Sequence, residues 1–182
     1  MFQSSLLKQK FFPRGRVDPS DQFSYGRRKR SQGWLTVQYR KAGTKDWITI
    51  CKDKHNLGTD AGEDWLHAQL YTNTSAGTRG AGYIAVSSNA SGASASHTTL
   101  AGEITTGGLA RADATTKDHT PGSNTTTIEH TFTASATHTD VQLSALFNAS
   151  SSGTMAHEAT FTATTLQSND QLKVTWTITS TF

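Results

Sequence analysis

The stretch LKVTWTIT at residues 172–179 carries the strongest structural signal in this chain. Its apolar side chains recur at every second position, at Leu172, Val174, Trp176 and Ile178. Successive side chains of a β-strand point to opposite faces, so this period of two predicts a strand with one buried and one exposed face. The intervening lysine and threonines suit the exposed face. One face of this strand is therefore expected to form part of a core.

Three earlier runs alternate in the same way. Their predicted inward residues are Ile128, His130, Phe132 and Ala134; Val141, Leu143, Ala145 and Phe147; and Met155, His157, Ala159 and Phe161. Turn-forming residues separate the runs at 121–124, 150–153 and 168–170. Short strands at this spacing are typical of an antiparallel sandwich or barrel. We therefore predict a mainly β chain that forms an antiparallel β-sandwich, jelly-roll-like or immunoglobulin-like.

The chain that precedes these strands is predicted to complete the same domain. Residues 33–52 contain two short runs rich in aromatic and β-branched residues, which predict a β-hairpin. Residues 60–71 predict one short helix, because Asp60 can cap its first turn and apolar residues follow on one side. The predicted domain spans 33–182, and its Thr-rich strands occupy 83–182.

The first 32 residues are predicted to form an extended basic N-terminal arm. Residues 1–54 hold 13 of the 17 basic and 4 of the 14 acidic residues, a balance of +9, whereas the remainder carries −6. Such a division suits an arm that meets phosphate or an acidic neighbour. A non-specific contact of the arm with nucleic acid is one expectation. The residues expected to contact a neighbouring subunit are Phe11, Phe12, Arg27, Arg28, Lys29 and Arg30.

Composition excludes several classes of protein. A single cysteine, Cys51, rules out an intrachain disulfide framework and is expected to be a core thiol. No run approaches the roughly 20 apolar residues of a membrane span. The first ten residues lack the apolar stretch of a signal peptide, so we expect the chain to be made in a cytoplasm and to have no membrane partner.

No pattern of catalytic, cofactor-binding or metal-binding residues emerges, so we predict that the chain is not an enzyme. The seven histidines lack the spacing of metal ligands, and His130 and His157 are expected to be core residues, with a metal between facing strands as the alternative. Residues 53–64 lack the ligands of a calcium loop. Glu129 and Glu158 are expected on the exposed strand face, not in a catalytic carboxylate pair.

Several short segments recur together in a known kind of protein. They are TDAG at 59–62 with WL at 65–66, YIAV at 83–86, LAGEI at 100–104, GLARA at 108–112, TIEHTFT at 127–133, LFNA at 146–149 and DQLKVTW at 170–176. In this order the chain resembles structural proteins of tailed bacteriophages and related viruses over roughly residues 57–182. The resemblance implies a virion component of β-sandwich type, present in several copies and without catalytic residues. Residues 83–88 lack the Gly-Thr-Gly that this pattern usually carries, and residues 1–54 fall outside it.

These observations predict a homo-oligomeric virion structural protein, made in the host cytoplasm and placed at the tail, the neck or the capsid surface. It would dock on copies of itself and on other virion proteins through its sandwich, edge to edge or face to face, and through its arm. The alternative is a receptor- or carbohydrate-binding domain of a phage fibre, with exposed aromatic residues such as Trp47 as a sugar platform. A glycan hydrolase is the remaining alternative.

Overall fold

The computed structural model describes residues 32–62, 80–121, 123 and 125–179, which form ten β-strands. In chain order they are β1 (Gln32–Arg40), β2 (Ile48–His55), β3 (Leu57–Gly58), β4 (Tyr83–Ser87), β5 (Ala112–Asp113), β6 (Thr116–His119), β7 (Thr125–Thr133), β8 (His138–Phe147), β9 (Met155–Leu166) and β10 (Gln171–Thr179). Sheet A has the order β2-β1-β10-β7-β6, and sheet B the order β3-β9-β8-β4-β5. All neighbouring strands are antiparallel. The prediction of a mainly β, antiparallel sandwich is confirmed.

Strand β10 lies at the centre of sheet A and supplies the middle of the core. Leu172, Val174 and Trp176 are completely buried, as the alternation of their sequence predicts. They pack with apolar residues of sheet B, among them Ile84 and Leu146. The indole N–H of Trp176 donates a hydrogen bond of 3.3 Å to the Ser144 hydroxyl, so the buried ring leaves no unsatisfied donor.

Strand β8 departs from the predicted single inward row. Val141 packs in the core between the sheets, but Leu143, Ala145 and Phe147 pack in a second apolar cluster with Leu100. The pairing of β8 with β9 is irregular on both sides of Val141, and a β-bulge reverses which residues face the core. These four residues are all buried, but the expectation that they form one row is wrong.

Strand β9 shows the same effect at its start. Met155 joins the second cluster, whereas Ala159 and Phe161 face the main core. A register shift opposite Leu146 and Phe147 separates the two groups. Sheet B consequently buries both of its faces over β4 and the adjoining halves of β8 and β9.

Two segments cross from one sheet to the other and close the long sides of the sandwich. Residues 48–58 run from β2 in sheet A into β3 in sheet B, and residues 112–119 run from β5 in sheet B into β6 in sheet A. Strands that switch sheets in this way form the corners of β-sandwiches. The edges they leave are short, or carry Lys52, Lys54 and a left-handed residue, Asp53 (φ 49°). Such edges resist pairing with another chain.

The N-terminal predictions are tested in part. The hairpin predicted over 33–52 is present as β1 and β2, although its second strand continues to His55. Residues 60–62 form a helical turn, and the rest of the helix predicted over 60–71 lies outside the described residues. Residues 1–31, which contain nearly all of the predicted arm, also lie outside them.

Candidate functional site

The outer face of sheet A is a continuous polar surface across all five strands. By alternation and register it is formed by Trp34, Thr36, Gln38, Arg40, Thr49, Thr116, Asp118, Thr127, Glu129, Thr131, Thr133, Gln171, Lys173, Thr175 and Thr177. Their side chains alternate with the buried residues of the same strands, so the face exists because threonine suits the exposed side of a pleated sheet. We refer to these residues as the outer face of sheet A.

Hydrogen bonds between neighbouring strands order this face. The Thr175 hydroxyl donates to Glu129 Oε2 at 2.7 Å, and the Thr36 hydroxyl donates to Asp53 Oδ1 at 3.3 Å. Gln171 donates from Nε2 to the Thr133 hydroxyl at 3.2 Å and accepts a hydrogen bond from Arg40. The predicted outward orientation of Glu129 is confirmed, and its carboxylate is held by a neighbour on the same face. Side chains fixed in this way lose less conformational entropy when a partner binds.

One corner of the face combines aromatic and positively charged groups. The Arg40 guanidinium lies 4.7 Å and the Lys173 ammonium 5.1 Å from the centroid of the Trp47 ring. A cation held against an aromatic ring keeps its full charge, and among the described residues no carboxylate lies within ion-pair distance of either one. Trp47 is half-buried, and both cations compete with a sugar ring for its surface.

Asp170 anchors this corner to the body of the domain. Its carboxylate accepts hydrogen bonds from the Ala42 N–H at 2.7 Å, the Tyr39 hydroxyl at 2.8 Å and the Gln167 N–H at 2.8 Å. Burial alone would raise the pKa of Asp170, but these donors and the nearby Lys41 outweigh burial and lower that pKa. Burial, with the neighbouring Asp170 carboxylate, raises the pKa of Tyr39. The loop after β1 is therefore fixed by an ionised carboxylate.

Glu158 does not lie in solvent, so the prediction for it is wrong. Its side chain is only 1% exposed, because the segment after β4 folds over β9. There Oε2 accepts hydrogen bonds from the Ser94 N–H at 3.1 Å and from Nδ1 of His97 at 2.9 Å. Oε1 makes no hydrogen bond within the part of the chain that the structure describes. No local pattern in residues 88–99 indicates this contact, which is why sequence reasoning missed it.

The His97 and Glu158 pair acts as a clamp. A histidine oriented by a buried carboxylate can also serve as a general base toward a nearby hydroxyl. The hydroxyls of Ser94 and Ser96 in the same loop lie 3.0 Å apart and form a hydrogen bond with each other. The Asp60 N–H further ties this loop to the corner after β3, through the carbonyl of residue 95 at 2.9 Å.

His157 is a core histidine, as predicted. Its Nδ1 accepts a hydrogen bond of 2.6 Å from the Asn56 side-chain amide, whose oxygen accepts one of 2.6 Å from the Gly33 N–H. Burial lowers the pKa of His157 to about 4. His130 lies on the core side of β7 against the Phe132 ring, with 4.6 Å between centroids, and burial lowers its pKa.

Cys51, the predicted core thiol, is half-buried beside the main core, and burial raises its pKa. Within the described ranges no group of three or more histidine, cysteine or acidic side chains could hold a metal ion. Residues 53–58, the first half of the stretch 53–64 that lacks the ligands of a calcium loop, lie largely in β2 and β3.

The predicted subunit contacts cannot be located, because Phe11, Phe12 and residues 27–30 lie outside the described residues. Over the part of the chain that the structure does describe, no helix has the length and apolar character needed to cross a membrane. Comparison of the chain with protein-family profiles, with curated proteins and with solved structures gives no match.

Proposed function

We propose that this chain is a non-enzymatic structural protein of a virus particle, which docks on copies of itself and on other particle proteins. The segments between residues 57 and 182 that resemble phage structural proteins support the viral setting. The fold supports the mode of action, because a polar sheet face is suited to protein contact.

The observation that carries the proposal is the contrast between the two sheets. Among the described residues, sheet B is buried on both faces over much of its area, whereas one face of sheet A carries half-buried or exposed side chains on all five strands. The arm joins the chain at Gln32, the first residue of β1, and β1 belongs to this open sheet. Docking therefore uses the outer face of sheet A and the arm together.

Face-to-face docking is favoured over the edge-to-edge alternative. Strands β3, β5 and β6 are two to four residues long, and β2 carries lysines and a bulge. These features protect edges from strand addition. The outer face of sheet A carries no such barrier.

The test is the mass of the protein in solution, measured by light scattering over a range of concentrations. We expect the full chain to self-associate, and removal of residues 1–32 to weaken the association. Thr177→Glu places a charge on the outer face of the central strand β10, and it is expected to weaken self-association at least tenfold. The matched control is Thr162→Glu, at an exposed position of β9 in sheet B, which should have no effect. Self-assembly would be contradicted if the full chain stayed monomeric at high concentration and neither the truncation nor Thr177→Glu changed its mass in solution.

A second candidate function is carbohydrate or receptor binding, as on a phage fibre. It is favoured by two half-buried tryptophans: Trp34 lies near the start of β1 on the outer face, and Trp47 lies in the hairpin loop beside Arg40 at the other end of β1. Aromatic rings of this kind stack on sugars. Binding of host surface glycan that Trp34→Ala abolishes, without any change in oligomeric mass, would favour this function over self-assembly.

A further inference from the structure

We propose that the β1–β2 side of the sandwich binds a linear polyanion, and that its partner is the phosphate backbone of nucleic acid. This site is additional to any contact made by the arm. It shares two cations with the outer face of sheet A, so a copy docked on that face would compete with the polyanion for them. It is formed by six cations that we call the basic ribbon: Arg40, Lys41, Lys45, Lys52, Lys54 and Lys173.

Among the described residues, the basic ribbon is distinguished by the absence of ion-pair partners. Outside it, the described residues contain two cations, Arg111 and Lys117, and each holds a carboxylate. Arg111 makes two hydrogen bonds to Glu103, of 2.8 and 2.6 Å, and Lys117 lies 2.5 Å from Asp113. None of the six ribbon cations is within ion-pair distance of a carboxylate among the described residues. The body of the domain thus neutralises its positive charges, and the ribbon leaves them available.

The ribbon cations that do have partners are held by neutral or aromatic groups. Arg40 and Lys173 lie against Trp47, and the Lys54 ammonium donates to the Thr160 hydroxyl at 2.8 Å. Such contacts orient a cation without cancelling its charge. Three acids lie in the same region, Asp46 and Asp53 in the hairpin and Asp170 near Lys41, and they reduce its net charge to +3.

The cations of the ribbon lie toward both ends of the β1–β2 hairpin. Arg40, Lys41 and Lys45 lie at the loop end of the hairpin, and Lys54 pairs with Leu35 near the other end of β1. Leu35 and Arg40 are five residues apart, so the cations extend over about 17 Å of β1. A span of this length faces about ten charges of duplex DNA, which carries about one charge per 1.7 Å of its axis.

Protection of an edge strand accounts for only part of this pattern. Lysines on β2 would serve that purpose. Arg40 and Lys173 instead lie on the open face of β1 and of the central strand β10, where there is no edge to protect. Their position beside Trp47 therefore places both cations where they can bind an anionic ligand. With threonine and glutamine side chains as the other polar groups nearby, binding would be independent of sequence.

The test is fluorescence anisotropy of labelled 30-mer single-stranded and duplex DNA of random sequence with the full chain, at several salt concentrations. Arg40→Gln combined with Lys173→Gln is expected to weaken binding roughly tenfold per lost contact at 0.1 M salt and to lower the salt slope by about two. The matched control, Lys117→Gln, removes a paired cation and should leave the slope unchanged. Because the double variant could disturb the Trp47 corner, Lys41→Gln with Lys45→Gln in the exposed loop provides a second measurement.

Three outcomes would overturn the proposal. The first is a salt slope that neither ribbon variant changes while neutralisation of residues 27–30 abolishes it, which would assign all binding to the arm. The second is an equal loss of affinity in Lys117→Gln, which would indicate an effect of net charge alone. The third is binding of poly-glutamate as tight as that of DNA, which would make the partner an acidic protein surface. Light scattering of the same variants reports self-association. Lys41→Gln with Lys45→Gln changes no residue of the outer face of sheet A, so failure of this proposal and failure of the assembly proposal are distinguishable.

Discussion

Sheets A and B contain similar sequence, but they differ in how far the rest of the chain covers their outer faces. The two runs EHTFT at 129–133 and EATFT at 158–162 make the comparison direct. In sheet A the first run leaves Glu129 half-exposed on an open face, and in sheet B the second run buries Glu158 under the segment that follows β4. The local pattern of a strand therefore specifies which side chains alternate, and the rest of the chain determines whether the outer side stays open.

The largest expected difference between the two outer faces is in packing. Phe147→Ala on sheet B should lower the free energy of unfolding by about 3–5 kcal/mol, because it opens a cavity in the second apolar cluster. It also removes the ring that lies 3.5 Å from the Arg111 guanidinium carbon. Thr131→Ala on the outer face of sheet A should change the same quantity by less than about 0.5 kcal/mol. Urea denaturation of both variants makes the measurement. Equal losses would show that the two outer faces are covered alike.

Sequence reasoning recovered the strands of sheet A better than those of sheet B, for a physical reason. β7 and β10 pair in unbroken register, so a period of two describes them throughout. β8 contains a bulge next to Asp140, which has a φ of 54°, and a one-residue change of register moves side chains to the opposite face. Aspartate tolerates this conformation, but aspartate also occurs at ordinary exposed positions of strands. Its presence in the sequence therefore does not indicate a bulge.

The candidate site was predictable in its chemistry but not in its arrangement. The excess of positive charge before residue 55 is visible in the composition. Lys173 lies in the last strand, and it meets Arg40 at Trp47 because β10 pairs with β1. Alternation alone does not specify this pairing. The burial of Glu158 depends on residues 88–99, whose Ser, Ala and Gly composition has no periodicity to indicate packing.

The next largest effect is expected in the core that both sheets share, where His157 should make stability depend on pH. Its pKa is about 4 in the folded protein and about 6.5 when exposed, so the unfolded chain binds more protons between these values. The stabilising effect is present above about pH 6.5 and is lost as the pH falls toward 4. The pKa difference corresponds to a loss of about 3 kcal/mol. Urea denaturation at several pH values measures it, and His157→Gln should flatten the profile over this window. An unchanged profile in that variant would assign the dependence to other groups.

The smallest of these effects concerns the two glutamates themselves. Glu158→Gln should lower the free energy of unfolding by about 2 kcal/mol, because it removes a buried charge that accepts hydrogen bonds from His97 and from the Ser94 N–H. Glu129→Gln keeps an oxygen that can accept from Thr175 on a half-exposed face and should cost less than about 0.5 kcal/mol.

Each variant replaces one carboxylate oxygen by an amide nitrogen, and the two positions are equivalent in EHTFT and EATFT. Each variant is therefore the control for the other. Amide hydrogen exchange of residues 94–97 adds a local readout, because the Ser94 N–H is protected only while the loop is held on Glu158. Faster exchange in Glu158→Gln but not in Glu129→Gln would locate the effect in the clamp. Equal exchange and equal stability would mean that the loop is held by its apolar contacts around Leu100 alone, and that burial of the carboxylate contributes nothing to closing the outer face of sheet B.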